Sequence, residues 1–383
     1  MTATPFAIPV QEDEAAWIRR RVDDYRFFEE PQNAGWRYGA SRDYMERLRD
    51  YWLNDYDWPA AVGHLNRLSH ARIDMGAFGG RDDFHLHAVH LKSSRADARP
   101  LLIAHGWPGS IVEFDAIFER LAEPEDAGAP AFHVVAPSLP GYAWSDKPAS
   151  PVGPKAVAGL YDGLMQALGY DDYIYQGGDW GSVIGGWIGL EADHCAAVHL
   201  NGYGLRAHDM RPHTDEDRKW FEWAQRIRSQ ETAYLQLQGT KNQSLAYAMM
   251  DSPMGVAAWL AEKFQGWSDV TDGDEKFDPP FTMNQLLTNV MIYLTTRSFN
   301  TATWLYRGMF EEGGFAMPEG VRVEKPTGIA AFPHDLLAFP PRSMVERGYN
   351  VVHWTDMPAG GHFASMEKPD LFLADLRKFV ATL

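Results

Sequence analysis

The chain is predicted to be an α/β protein: a mostly parallel, doubly wound sheet with a helical insertion over it and a helical extension in front. Three observations carry this. Short apolar runs ending near glycine or proline recur at residues 101–104, 132–136 and 173–175, as strands buried on both faces do. Helix-like segments separate them, at 157–168 and from 182 onward. The strand pattern stops near Arg206, gives way to helical sequence rich in Trp, Tyr and Met up to about Arg322, and then resumes. The expected divisions are an N-terminal extension over 1–95, the first part of the core over 96–205, a lid over 206–322 and the second part of the core over 323–383.

In the extension, acidic residues at Glu12–Glu14 and basic ones at Arg19–Arg21 predict a first helix. A second is expected over Ser41–Trp52, with Ser41 as N-cap and Tyr44, Leu48 and Trp52 on one face. A third runs from Trp58 to Leu68, with Pro59 in its first turn. Phe84–His90 alternates like a strand, and its histidines are expected at the surface rather than on a metal. In the core, Leu101–Ala104 is a strand, Ile111–Leu121 a helix, Phe132–Ser138 a strand, Val157–Leu168 a helix and Ala196–Asn201 a further strand. The insertion's clearest helices are Thr214–Ser229 and Gln285–Thr295. Pro326–Phe332 and Tyr349–Trp354 return to the strand pattern, and an amphipathic helix closes the chain from Pro369.

Charge narrows the partners. With 35 Lys+Arg against 52 Asp+Glu, the net charge of −17 argues against nucleic acid or an anionic membrane. The single cysteine, Cys195, excludes an internal disulfide and leans toward the cytoplasm. Residues 1–6 lack the basic and apolar parts of a leader, and no apolar run approaches ~20 residues, so a soluble protein without a membrane anchor is expected.

The chemistry centres on Gly177-Gly178-Asp179-Trp180-Gly181, an apolar strand ending in glycines and leading into a helix. This is a strand-to-helix elbow with a carboxylate where a serine is familiar. An attacking carboxylate suits an electrophilic alkyl carbon, because the product is a covalent ester. His362, in Ala359-Gly-Gly-His-Phe363 after the last strand, is the expected general base. Asp335, in the loop after Phe332, is the acid expected to fix its tautomer, with Asp356 as a rival. His105-Gly106-Trp107-Pro108 follows an early strand, so the backbone N–H groups of Trp107 and Trp180 are the expected oxyanion donors. His105, with Gly106 and Pro108, is read as bracing that turn.

Taken together, His105–Ser110, Gly177–Gly181 and Gly360–Phe363 resemble epoxide hydrolases of the α/β-hydrolase fold. Gly35–Gly39 and Tyr51–Trp58 resemble the extra N-terminal domain of the microsomal and juvenile-hormone branch, and the likeness spans nearly the whole chain. The anchor of the animal enzymes is missing from the front, which favours a soluble, microbial form. The resemblance implies two lid tyrosines that hydrogen-bond the epoxide oxygen, Tyr234 and Tyr306; Tyr203, Tyr247 and Tyr293 compete on pattern alone. It also implies a cis peptide at Trp107–Pro108, conversion of an apolar epoxide and water to a vicinal diol, and no metal or other cofactor. A dehalogenase using the same carboxylate is the alternative, and a binding-only receptor a weaker one. The N-terminal module leaves a homodimer contact open.

Overall fold

The structure, a computed structural model, describes residues 2–270 and 281–383; residues 271–280 of the expected lid lie outside these. Nine strands form one sheet in the order β1-β2-β3-β5-β4-β6-β7-β8-β9. The strands are β1 (Ala3–Phe6), β2 (His70–Asp74), β3 (His85–Leu91), β4 (Arg99–Ala104), β5 (Phe132–Pro137), β6 (Tyr173–Gly177), β7 (Cys195–Leu200), β8 (Val323–Ala331) and β9 (Tyr349–Asp356). From β5 through β9 every neighbour is parallel, and β1, β2 and β3 add an antiparallel edge beyond β5. β4 and β6 lie at the centre, with Leu101–Ile103 and Tyr173–Tyr175 removed from solvent. Crossover helices cover both faces of such a sheet, which explains strands that are apolar throughout.

The N-terminal residues form α1 (Glu12–Asp23), α2 (Arg42–Asn54) and α3 (Trp58–Leu65). Tyr44, Leu48 and Trp52 are buried together on α2, and Asp57 caps α3 by accepting from the Ala60 N–H. This segment is more than helical: two of its three strands, β1 and β2, were not expected. β1 has four residues, all but one exposed, and β2 is His-Ala-Arg-Ile-Asp, so neither shows the apolar alternation of a strand. The histidines also depart from expectation. His87 is wholly buried, with its ring between the His70 ring (3.0 Å) and the Ser138 hydroxyl (2.9 Å).

Residues 111–121 do not form one helix. A 3₁₀ turn over Ile111–Phe114 is followed by α4 (Phe118–Ala122). The β-branched pair Ile111-Val112 is a poor helix start, and Asp115 is drawn 2.8 Å from the His64 ring of α3. α5 (Pro154–Ala167) and α6 (Asp179–Glu191) flank β6; α6 begins at the elbow itself, three residues earlier than expected. Between β7 and β8 lie α7 (Asp215–Glu231), α8 (Ala233–Thr240), α9 (Asn242–Met249), α10 (Pro253–Gly266), α11 (Met283–Thr295) and α12 (Phe299–Glu311). α13 (Arg342–Val345), α14 (Ala364–Glu367) and α15 (Pro369–Val380) complete the chain. Among the described residues no helix is long and apolar enough to cross a membrane.

The N-terminal helices pack on the insertion. Tyr56 Oη donates to Thr288 Oγ1 of α11 at 3.2 Å, and Arg21 of α1 reaches Asp251 at 2.7 Å. α11 in turn holds the loop after β4: Asn289 Nδ2 donates to Pro108 O at 2.7 Å and Tyr293 Oη to Gly109 O at 2.8 Å.

Candidate active site

Asp179 sits where β6 ends and α6 begins, with φ at 45°. That left-handed conformation costs a residue with a Cβ about 1–2 kcal/mol, and aspartate bears it better than most. The elbow can turn this sharply because Gly181 has no Cβ; one there would strike the Ala104 carbonyl of β4. Gly106 is bare for a related reason, since a Cβ would collide with the Asp179 carboxylate.

Three loops at the same sheet edge meet the carboxylate. The Trp107 N–H donates to Asp179 Oδ1 at 2.7 Å, and the Trp107–Pro108 peptide is cis. The Trp180 N–H lies in the first turn of α6, where a helix has no internal acceptor for it. His362 Nε2 stands 3.3 Å from Asp179 Oδ2, while Nδ1 lies 2.7 Å from Asp335 Oδ1. Burial works against a charge on His362, but Asp335 and Asp179 outweigh it and hold the imidazolium well above its ordinary 6.5. The rival Asp356 instead accepts from the Trp354 indole at 2.9 Å.

Two phenols face this group across a cavity of about 300 Å³, whose walls include Asp179, Asp335 and His362. Tyr234 is stacked on Trp107 with centroids 5.1 Å apart, and Tyr306 meets Trp180 edge-on at 4.6 Å. The two tyrosine rings are 6.0 Å apart. Burial foremost, then the negative charge of Asp179 on Tyr234 and the neighbouring Tyr234 on Tyr306, raise both phenols well above 10, so both carry their protons. The competing tyrosines are placed otherwise: Tyr247 is 78% exposed, Tyr293 is bonded to Gly109 O, and Tyr203 Oη accepts from the Ala207 N–H at 3.2 Å.

His105 braces the turn. Its Nδ1 bonds Gly106 O at 2.9 Å and its Nε2 accepts from the Leu139 N–H at 3.3 Å; burial pushes it down to about 4, so it stays neutral.

Several neighbours carry no sequence signal. Glu367 accepts three backbone N–H groups: Gly361 at 3.0 Å, Phe363 at 2.9 Å and Asp269 at 2.8 Å. Asp269 returns the contact by accepting from the Gly360 N–H at 2.8 Å, and the His362 N–H donates to Trp267 O at 2.8 Å. The histidine loop is thus clamped to the segment that follows α10. The Trp267 indole lies edge-on to the His362 ring at 4.9 Å. Burial pushes Glu367 up to about 7 against those N–H groups. Glu113, whose carboxyl lies against Gly109, is pushed up to about 8 by burial, with His362 opposing and Asp179 adding to the shift. Pattern reading finds catalytic dyads but not carboxyls whose partners are backbone amides distant in sequence.

Comparison with known proteins identifies the family and the fold. Residues 3–114 match the family model for the epoxide hydrolase N terminus, and residues 99–268 that for the alpha/beta hydrolase fold. Epoxide hydrolase 1 of Sus scrofa is 31% identical, covering 99% of this chain and 88% of its own. The Aspergillus niger epoxide hydrolase structure superposes with a TM-score of 0.85 at 29% identity, covering 100% of this chain and 97% of that one. The Bombyx mori juvenile hormone epoxide hydrolase structure gives 0.87 at 26% identity, covering 100% and 94%.

Proposed function

The chain belongs to the epoxide hydrolases of the α/β-hydrolase fold, and we propose that it works through a covalent ester on Asp179. The observation that carries this is the pairing of a carboxylate at the elbow apex with an imidazolium, Asp335 and two protonated phenols around one cavity.

Asp179 Oδ2 attacks a ring carbon while Tyr234 and Tyr306 donate hydrogen bonds to the ring oxygen. An alkoxide is a poor leaving group at neutral pH, and acid assistance is typically worth ~10²–10⁴-fold. The C–O bond breaks, and the proton that the new hydroxyl finally keeps comes from the His362 imidazolium. Ester formation also removes the Asp179 charge that holds that imidazolium, so His362 becomes a neutral base when one is needed.

His362, oriented by Asp335, then takes a proton from water as the water oxygen attacks the ester carbonyl carbon. The oxyanion develops beside the Trp107 and Trp180 N–H groups, each donor worth roughly 3–4 kcal/mol in such sites. Collapse breaks the ester C–O bond, the imidazolium protonates the departing diol, and the regenerated Asp179 carboxyl returns its proton to His362. Atoms balance as epoxide plus water to diol.

A single turnover in heavy-oxygen water tests the route. Label is expected in the Asp179 carboxylate and not in the first-turnover diol; label in that diol would mean direct water attack and overturn the scheme. The dehalogenase alternative predicts halide release from bromoalkanes, whereas phenol donors favour an oxygen leaving group. The same reading puts the enzyme in the cytoplasm, a placement that the single cysteine favours, and keeps a homodimer contact through the N-terminal segment, where Phe28 and Tyr38 are 69% and 67% exposed. Subcellular fractionation, and light scattering on Phe28→Ser and Tyr38→Ser variants, test those two points.

A further inference from the structure

The cavity in front of Asp179 is lined by two arginines that the proposed reaction does not use, Arg206 and Arg228. Arg206 follows β7 and is fixed through its backbone: its N–H donates to Phe315 O at 2.7 Å, and the Met317 N–H donates to its carbonyl at 2.8 Å. Its guanidinium lies 5.4 Å over the Phe315 ring, which stacks on Trp180 beside the nucleophile at 5.9 Å. Arg228, on α7, lines the same cavity.

Two other arginines shielded from solvent, by contrast, each have a counter-charge: Arg347 meets Asp217 at 2.7 Å and Arg72 meets Asp146 at 2.7 Å. Among the described residues no carboxylate comes within 4.0 Å of Arg206 or Arg228. Burial, joined by the nearby charge of Arg228, lowers Arg206 to about 10, and burial lowers Arg228 too. Both are half-buried, so each loses part of its hydration, and a second like charge nearby adds to that cost. The cavity's own carboxylates cannot compensate, because Asp179 is engaged by Trp107 and His362, and Asp335 by His362. Trp180, Leu235, Phe310 and Leu336 leave an apolar wall for the rest of a ligand.

Resting on the epoxide-hydrolase reading, we propose that the preferred substrates are epoxides with an apolar body and a carboxylate at the end remote from the oxirane, which Arg206 and Arg228 receive. The charge must be remote because a carboxylate beside the oxirane would meet Asp179 and be repelled. Planar guanidinium groups suit a carboxylate, which can accept two parallel N–H bonds.

The test compares para-carboxystyrene oxide with its primary carboxamide, which has nearly the same shape and no charge. In the wild type at low salt, kcat/KM is expected to favour the acid by about tenfold or more, chiefly through KM. The ratio is expected to shrink as salt rises, to fall toward one in an Arg206→Gln/Arg228→Gln variant, and to recover in part with Arg206→Lys. A wild-type ratio of one or less, or a ratio untouched by the double variant, would overturn the proposal. If the Arg206 variants do not fold, Arg228→Gln and the wild-type salt dependence decide it on the same terms. Hydrolysis of the amide without preference for the acid defeats this inference alone; failure to hydrolyse either compound defeats the epoxide-hydrolase reading.

Discussion

Asp179 joins a costly left-handed backbone to a carboxylate paired with the His362 imidazolium. Asp179→Ala is expected to abolish diol formation. His362→Gln is expected to stop after the first step, so intact-protein mass spectrometry should show one substrate mass added to the chain. The raised His362 also has a stability signature. A group whose folded pKa is raised stabilises the fold fully below its unfolded value of about 6.5, and that support is lost as pH climbs through the folded value. The melting temperature of the wild type, relative to His362→Gln, should therefore be most favourable in acid and decline at alkaline pH. Glu113 follows the same sign: at about 8 it is neutral through most of the physiological range, and ionising it in place destabilises the protein. Glu113→Gln should gain melting temperature over the wild type at about pH 9 relative to about pH 6. The five side chains read as reactive do converge on one cavity, whereas Glu113 could not be found that way, because an acid kept neutral by burial has no partner of fixed spacing.

At the scale of elements, the site depends on two brackets. α11 holds the turn after β4 through Asn289 and Tyr293, and the segment after α10 holds the histidine loop through Glu367 and Asp269. Tyr293→Phe removes a buried donor from Gly109 O, at a cost of about 1–3 kcal/mol for the stranded carbonyl. Steady-state kinetics should show kcat falling about tenfold with KM little changed, because the oxyanion N–H moves while the cavity wall does not. Glu367→Gln turns an amide donor toward N–H groups, so both melting temperature and kcat are expected to drop. The helices here were legible wherever caps or a repeating apolar face announced them, as in α2, α7 and α11. The broken helix at 111–122 was not, because Asp115 is drawn to His64, a partner distant in sequence.

For the whole molecule, the extension is a structural member of the sheet and of the support under the helical insertion. Deleting residues through Leu91 would strip β1, β2 and β3 and expose the β5 edge and the α11 face. The truncated chain is expected to aggregate on expression and show no cooperative melt, whereas a free-standing accessory domain would leave one intact. The parallel core was readable because burial on both faces leaves continuous apolar runs; the added edge was not, because half-exposed strands of mixed polarity leave no such mark. The Trp267–His362 contact has one more consequence. A protonated imidazole quenches indole emission on contact, and the catalytic cycle moves a proton on and off this ring. The protein therefore contains its own optical probe: in stopped flow, Trp267 should brighten as the ester forms and dim as it is hydrolysed. Trp267→Phe should remove both phases from the trace.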